Sequence, residues 1–406
     1  MLNTRVVPAL TALSENLYLS AIRAGMVAVV PLTIVGGLFM IVAYLPIAGW
    51  EARVAPYLPL LRVPVTATFG LLAVVACFSI AYELGKRLNQ EPSVCASIAT
   101  VIFLMIAIDP NDLTLAMDRL GSKGLFTAII IALVSVRVQK MFADGNLVIR
   151  MPASVPPVVS RSFLSLTPLL FLVVLFWLIR FVAGVDIDGL MQTAFKPLVF
   201  ALNTLPGILV YALVVTMLWS VGINGDNAVD AIVAPIFLQY LAANVAATTA
   251  GQPLPYVTAY GFFTTFVNVG GTGATMALAL VLWNSKEAGF RRISRLSLPT
   301  QIFQINEPIF FGLPIVLNPV FMIPYVLNAL ILTACSYLLM SWNVIHRPFV
   351  NVPWTTPPIV GHYLVSGGDW RAAVWGAASI LIAMAVYFPF AKAAERQRLR
   401  AHVTAT

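Results

Sequence analysis

The chain has 406 residues, 60% hydrophobic and 10% charged, with a mean hydropathy of +0.91 and a formal net charge of +8. A soluble domain carries charge on about a quarter of its residues, so an aqueous coat over most of the surface is excluded and lipid becomes the expected solvent. The basic residues stand between apolar stretches, where they report membrane topology and not a nucleic-acid partner.

The first 25 residues are mixed and include Glu15 and Arg23, so no cleavable signal peptide is expected. Apolar stretches then predict five spans, near Gly25–Leu45, Val63–Tyr82, Pro92–Ile108, Gly124–Val136 (extending to about Phe142) and Phe163–Ile179. With the N-terminus in the cytoplasm, the inside segments hold Arg5, Arg23, Lys86, Arg87, Arg137, Lys140, Arg150 and Arg161. The outside segments hold only four cations, Arg53, Arg62, Arg119 and Lys123, which fits the positive-inside rule. Residues 1–185 thus read as one bundle, and the polar-flanked segment 186–200 as an interfacial helix leading to a second bundle over 201–391.

The second half is interrupted by Asn224-Gly225-Asp226-Asn227, by Gly270-Gly271-Thr272-Gly273 and by Asn306-Glu307-Pro308. Irregular backbone at membrane depth is tolerated only inside protein or beside a wet cavity. Broken helices are also how transporters bring backbone polar groups to a substrate, so the binding site is expected here. Lys286, Arg291, Arg292 and Arg295 form a basic segment, and residues 392–406 read as a basic cytoplasmic tail. Cys77, Cys95 and Cys335 lack metal or redox spacing and read as small buried hydrophobes. No nucleotide-binding, zinc or nucleophile motif is present, so no cofactor or metal is expected.

Glu307 is the sharpest signal, the only acidic residue between Glu287 and Asp369. A carboxylate in hydrocarbon costs roughly 2.5–3.5 kcal/mol at a helix centre, so it implies partners or a function. Pro308 breaks the local helix, which would let the carboxylate accept hydrogen bonds from a substrate's hydroxyls or remove a proton from one. The other reading is a loop carboxylate at the membrane surface. Trp219, Asn224 and Asn227 offer an aromatic face and amides beside glycines, although a tryptophan near an interface is often an anchor. Asp226 reads equally as a loop charge. Gly271 and Thr272 stand in FVNVGGTGATMALAL, where small residues also serve helix packing. Trp354 lies in a constrained loop with Thr355 and Thr356, and His362 reads as a structural hydrogen bonder.

Together these segments resemble the membrane subunit, enzyme IIC, of bacterial phosphotransferase permeases in the lactose/cellobiose/diacetylchitobiose family. The resemblance runs through AIRAGMVAVVPLTIVGGLFM (21–40), LGSKGLFTAII (120–130), IRMPASVPPVVSRSF (149–163), FVNVGGTGATMALAL (266–280), FQINEPIFFGLPIVLNP (303–319) and TPPIVGHYLVSGGDWRAAVW (356–375). It implies an all-α polytopic protein of the bacterial cytoplasmic membrane, with about ten transmembrane helices, re-entrant hairpins and a homodimer formed through the N-terminal half. It also implies a sugar site in the C-terminal half and phosphorylation of the sugar by a partner IIB subunit, whose phosphocysteine is recharged through IIA. Glu307 is similar in position to the family's hydroxyl-activating glutamate, and Trp219 and Trp354 to its aromatic sugar contacts, with Asn306 and Gly270–Thr275 alongside. The family has a histidine where this chain has Asn224, and an amide cannot gain or lose a proton near neutrality. No fused IIA or IIB domain is seen, so separate partners are expected. The leading expectation is therefore a permease for a β-linked disaccharide or β-glucoside. Asn224 keeps open a second reading, a sensor or facilitator that binds sugar without phosphorylation. An ion-coupled carrier is a third, without family-specific support.

Overall fold

The computed structural model describes residues 16–44, 49–149, 163–313 and 315–405. Arg5, Arg150, Arg161, Pro314 and most of the 149–163 motif lie outside the described residues. Among the described residues the fold is all-helical. Seven helices are long and apolar enough to cross a bilayer, and the bent pair Leu166–Val182 and Ile187–Leu202 makes an eighth if counted as one span. Pro92–Ala107 and Leu205–Ser220 are shorter apolar helices. Large apolar side chains such as Leu170, Val210 and Leu381 are well exposed, as the lipid-facing side of a multi-pass membrane protein requires.

The chain forms two compact units. The first draws its described residues from Met1–Gly36, Val63–Leu198 and Asp230–Gln239, the second from Gly37–Arg62, Val199–Val229 and Tyr240–Thr406.

The first unit holds helix α1 (Leu17–Val27), the start of α2 (Val30–Ala43) and the end of α3 (Leu58–Phe69), then α4 (Leu72–Arg87), α5 (Pro92–Ala107), α6 (Leu125–Asp144) and α7 (Leu166–Trp177), the rest of α2 and α3 falling in the second. The Asn16 side chain caps α1 by accepting from the Tyr18 and Leu19 amides at 3.0 and 3.2 Å. Pro92 opens α5, where its missing N–H costs nothing. Helices α1, α4, α5 and α6 pack closely through fully buried alanines, among them Ala21, Ala76, Ala99 and Ala132. Between lipid-solvated helices, packing of small residues supplies the attraction that hydrophobicity cannot. The helix α8 (Ile187–Leu202) turns 83° from the preceding span. At that corner buried Asp188 accepts from Thr127 Oγ1 at 2.5 Å and from Gln192 Nε2 at 3.2 Å. Buried Arg180 pairs with Asp186 at 3.1 Å, which offsets the cost of desolvating a guanidinium.

The second unit contains α9 (Leu205–Ser220), the two ends of α10 (Gly225–Thr249), α11 (Thr275–Leu282), α12 (Ala288–Gln301), α13 (Glu307–Gly312), α14 (Pro319–Ser341), α15 (Pro358–Val365) and α16 (Trp370–Ala405). Its centre is the broken span Phe262–Leu282, most of which is buried. Helices α14 and α15 and this span pack on α16. His362 is fully buried, bonded through Nδ1 to the Pro358 carbonyl and edge-on to Phe266, a structural role.

Residues from Lys392 onward continue α16 as one helix. Buried Glu395 accepts from Ser285 Oγ at 2.6 Å, from the Lys286 amide and from Lys392 Nζ at 2.8 Å. The Arg398 guanidinium lies 5.2 Å over the Phe290 ring. Glu395→Ala should therefore leave the buried Ser285 hydroxyl and the part-buried Lys286 amide without this acceptor, at about 1–3 kcal/mol. Tryptic cleavage near Arg396 and Arg398 in proteoliposomes is expected to quicken several-fold, and an unchanged rate would show that the carboxylate does not dock this end.

Candidate functional site

Three irregular segments of the second unit meet at one side chain, Gln304. Its Oε1 accepts from the Gly270 and Gly271 amides at 2.6 and 3.1 Å, and its Nε2 donates to the Thr356 carbonyl at 3.4 Å. The turn at 270–273, the turn before α13 and the Trp354–Thr356 loop are thereby tied together. Asn306 adds a second link between the first two, its Nδ2 donating to the Thr272 carbonyl at 3.1 Å. Gln304 and Asn306 are both buried, where unmet polar groups would be costly, so each bond also fixes a backbone position.

Gly271 explains why this turn carries paired glycines. Its φ of +104° with ψ of 166° is open only to glycine. A Cβ there would also collide with the Asn306 side chain.

The second cluster surrounds Asp226, in the first turn of α10. Its Oδ2 accepts from Trp219 Nε1 at 2.8 Å and Thr272 Oγ1 at 2.7 Å, and its Oδ1 from Asn268 Nδ2 at 3.3 Å. The Trp219 ring stands edge-to-face with Phe310 of α13, centroids 5.0 Å apart. Asp226 is thus no free loop charge. It gathers the end of α9, the start of α10 and the 268–272 turn.

The residues singled out in the sequence divide into two groups. Trp219, Gly271, Thr272 and Asn306 are buried in this framework. Glu307, Asn227 and Trp354 are exposed, Trp354 at 60%. Glu307 opens α13, with Pro308 in the first turn fixing the backbone for the helix. It makes no hydrogen bond or ion pair among the described residues, so of the two expectations, partners or a function, no partner is found. The Trp219 N–H is committed to Asp226.

Asn224 caps α10, its Oδ1 accepting from the Asn227 amide at 2.9 Å. Asn224→Ala should cost about 1 kcal/mol of stability and Asn224→Asp almost none, because only the latter keeps the cap. Asn224→His, which restores the residue of the resembling family, should lower the thermal midpoint by a similar step. Equal midpoints for the alanine and aspartate variants would show that the cap contributes nothing.

Sequence reasoning missed the parts played by Asp226, Gln304 and Asn268. Gln304 stands three positions before Glu307 within the quoted motif, and Asp226 seven after Trp219, but neither spacing reveals a partner on another segment. The apolar groove of about 430 Å³ between Leu209–Leu213 and Leu330–Ala334 is remote from this chemistry and is a seam between α9 and α14 without polar lining.

Comparison with known proteins gives one consistent answer. The model of the family described as phosphotransferase system, EIIC matches residues 23–329. The lichenan permease IIC component of Bacillus subtilis is 33% identical, over 98% of this chain and 94% of its own length. The cellobiose-specific EIIC component of Geobacillus stearothermophilus is also 33% identical, over 98% and 94%. The lactose-specific EIICB component of Streptococcus mutans is 31% identical over 97% of this chain and 72% of its own. Among solved structures, the transporter ChbC, the IIC component of the N,N'-diacetylchitobiose-specific system, superposes with a TM-score of 0.93 at 32% identity, over 99% of each chain.

Proposed function

This chain belongs to the phosphotransferase system EIIC family, and from that premise we propose that its second unit binds a β-linked disaccharide or β-glucoside and presents one hydroxyl for phosphorylation. The protein is a sugar-translocating membrane subunit that works with a IIB partner. Cellobiose, lactose and diacetylchitobiose, named for its relatives, are all β-linked, which supports that sugar class. The observation that carries the site assignment is Glu307, an exposed acid on a turn held by Gln304 and Asn306. Its carboxylate takes the proton of the accepting hydroxyl. The sugar oxygen forms the new bond to phosphorus, the bond between phosphorus and the IIB cysteine sulfur breaks, and the thiolate leaves.

Trp354 offers its exposed face to the C–H side of a pyranose. Asn227 is the other exposed contact, and Asn224 retains its amide N–H groups for a hydroxyl. Gly271, Thr272, Asn306 and Trp219 belong to the buried framework that holds the turn. The first unit is the surface through which a homodimer assembles in lipid. Uptake of labelled cellobiose or diacetylchitobiose into vesicles supplied with phosphorylated IIB tests the reading. Accumulation of sugar phosphate is the expected result; free sugar alone would favour the facilitator or sensor reading that Asn224 supports.

A further inference from the structure

We propose that Asp226 is the positioning residue for Glu307, acting through two separate arms that both end on the turn carrying it. The inference rests on the reading of Glu307 as the proton acceptor. One arm runs from Asp226 Oδ2 to Trp219 Nε1 at 2.8 Å, and from the indole to Phe310 at 5.0 Å, three residues along α13 from Glu307. The other runs from the same oxygen to Thr272 Oγ1 at 2.7 Å. The Thr272 carbonyl in turn receives the amide of Asn306, the residue before Glu307, at 3.1 Å. An exposed glutamate without hydrogen bonds of its own is aimed only by the backbone beneath it, and two supports of that backbone, beside the one Gln304 supplies, meet at one carboxylate.

Asp226 has no lysine or arginine bonded to it among the described residues; its three partners are neutral donors. Accepting geometry is therefore its contribution, and charge is dispensable. This gives a discriminating substitution. In Asp226→Asn, the amide oxygen can accept from Trp219 and Thr272 while its N–H₂ meets Asn268. The Asn268 Oδ1 is buried and unpartnered, so rotation of that amide supplies the acceptor and rebuilds the network without charge.

The test measures KM for sugar and kcat for phosphorylation by phospho-IIB in proteoliposomes, with Glu307→Gln assayed in parallel. Asp226→Ala should lower kcat by about ten- to a hundredfold, the effect of a small misplacement of a reacting group, with KM changed less than about threefold. Asp226→Asn should stay within about threefold of the parent in both. If the asparagine variant is as impaired as the alanine one, charge is what matters and the proposal fails. It fails equally if Asp226→Ala turns over normally, or if it raises KM alone. Should Asp226→Ala not insert, Trp219→Phe and Thr272→Val each remove one arm. Each should then lower kcat about three- to tenfold, and two unaffected variants would overturn the idea. A normal Glu307→Gln rate would instead refute the parent reading, and it is scored independently of these arms.

Discussion

Glu307→Gln is expected to reduce formation of intravesicular sugar phosphate by at least about a hundredfold, the low end for removing a general base. The amide is isosteric and can still hydrogen-bond a hydroxyl, but it cannot hold the proton released when that oxygen attacks phosphorus. Because Glu307 is exposed and bonded to nothing among the described residues, its neutralisation strands no buried group. Membrane insertion and thermal midpoint should stay at parental values, and sugar should still bind. The assay follows labelled cellobiose in vesicles with phospho-IIB and separates free from phosphorylated sugar. Parental turnover in the glutamine variant would move the chemistry to another residue.

Gly271→Ala should strongly destabilise the second unit. Two costs add at this position. A φ of +104° strains any L-residue by about 1–3 kcal/mol, and the new Cβ would fall inside the Asn306 side chain, with overpacking adding about 1–3 kcal/mol more. Asn306 cannot retreat cheaply, because its amide is bonded to the Thr272 carbonyl. Gly251→Ala separates the two terms. Its φ is also positive, at +65°, but nothing lies within 4 Å of the new methyl. The Gly271 variant should therefore lose several degrees more in thermal midpoint than the Gly251 variant, and transport with it. Equal midpoints would show that the turn has room to spare.

The two substitutions probe different links. Glu307 concerns chemistry on an intact framework, whereas Gly271 concerns the framework. Asn224 lies between them: its side chain caps α10 where the resembling family carries a histidine. The same residue bears on helix stability and on phosphoryl transfer, so thermal midpoints and turnover should be read together for its variants.

Much of the architecture was legible along the chain. Apolar run length fixes a membrane helix because every backbone polar group must be satisfied within its own segment, and the five expected N-terminal spans correspond to helices in the structure. The edges were less legible: the expected Val63–Tyr82 span lies within a helical stretch over Ala52–Arg87. The grouping of Gly37–Arg62 with residues of the second half leaves no mark on hydropathy either, because a bundle partner is chosen by side-chain fit.

The site divides in the same way. An isolated acid beside proline, in an otherwise apolar stretch, drew attention to Glu307 without knowledge of its neighbours. Its exposure was invisible to sequence, since hydropathy averages over a window and does not say which side of a helix end meets water. Asp226 resembled an ordinary loop charge because its meaning lies in donors from Trp219, Asn268 and Thr272, up to 46 positions away. Gln304 was equally silent, with backbone partners at 270–271 and 356. Run length and isolated charge are properties of one segment, so the sequence by itself determined the membrane class and the positions of the broken helices. Hydrogen bonds between distant turns require those turns to be brought together, and the organisation around Asp226 and Gln304 was decided only by the tertiary structure.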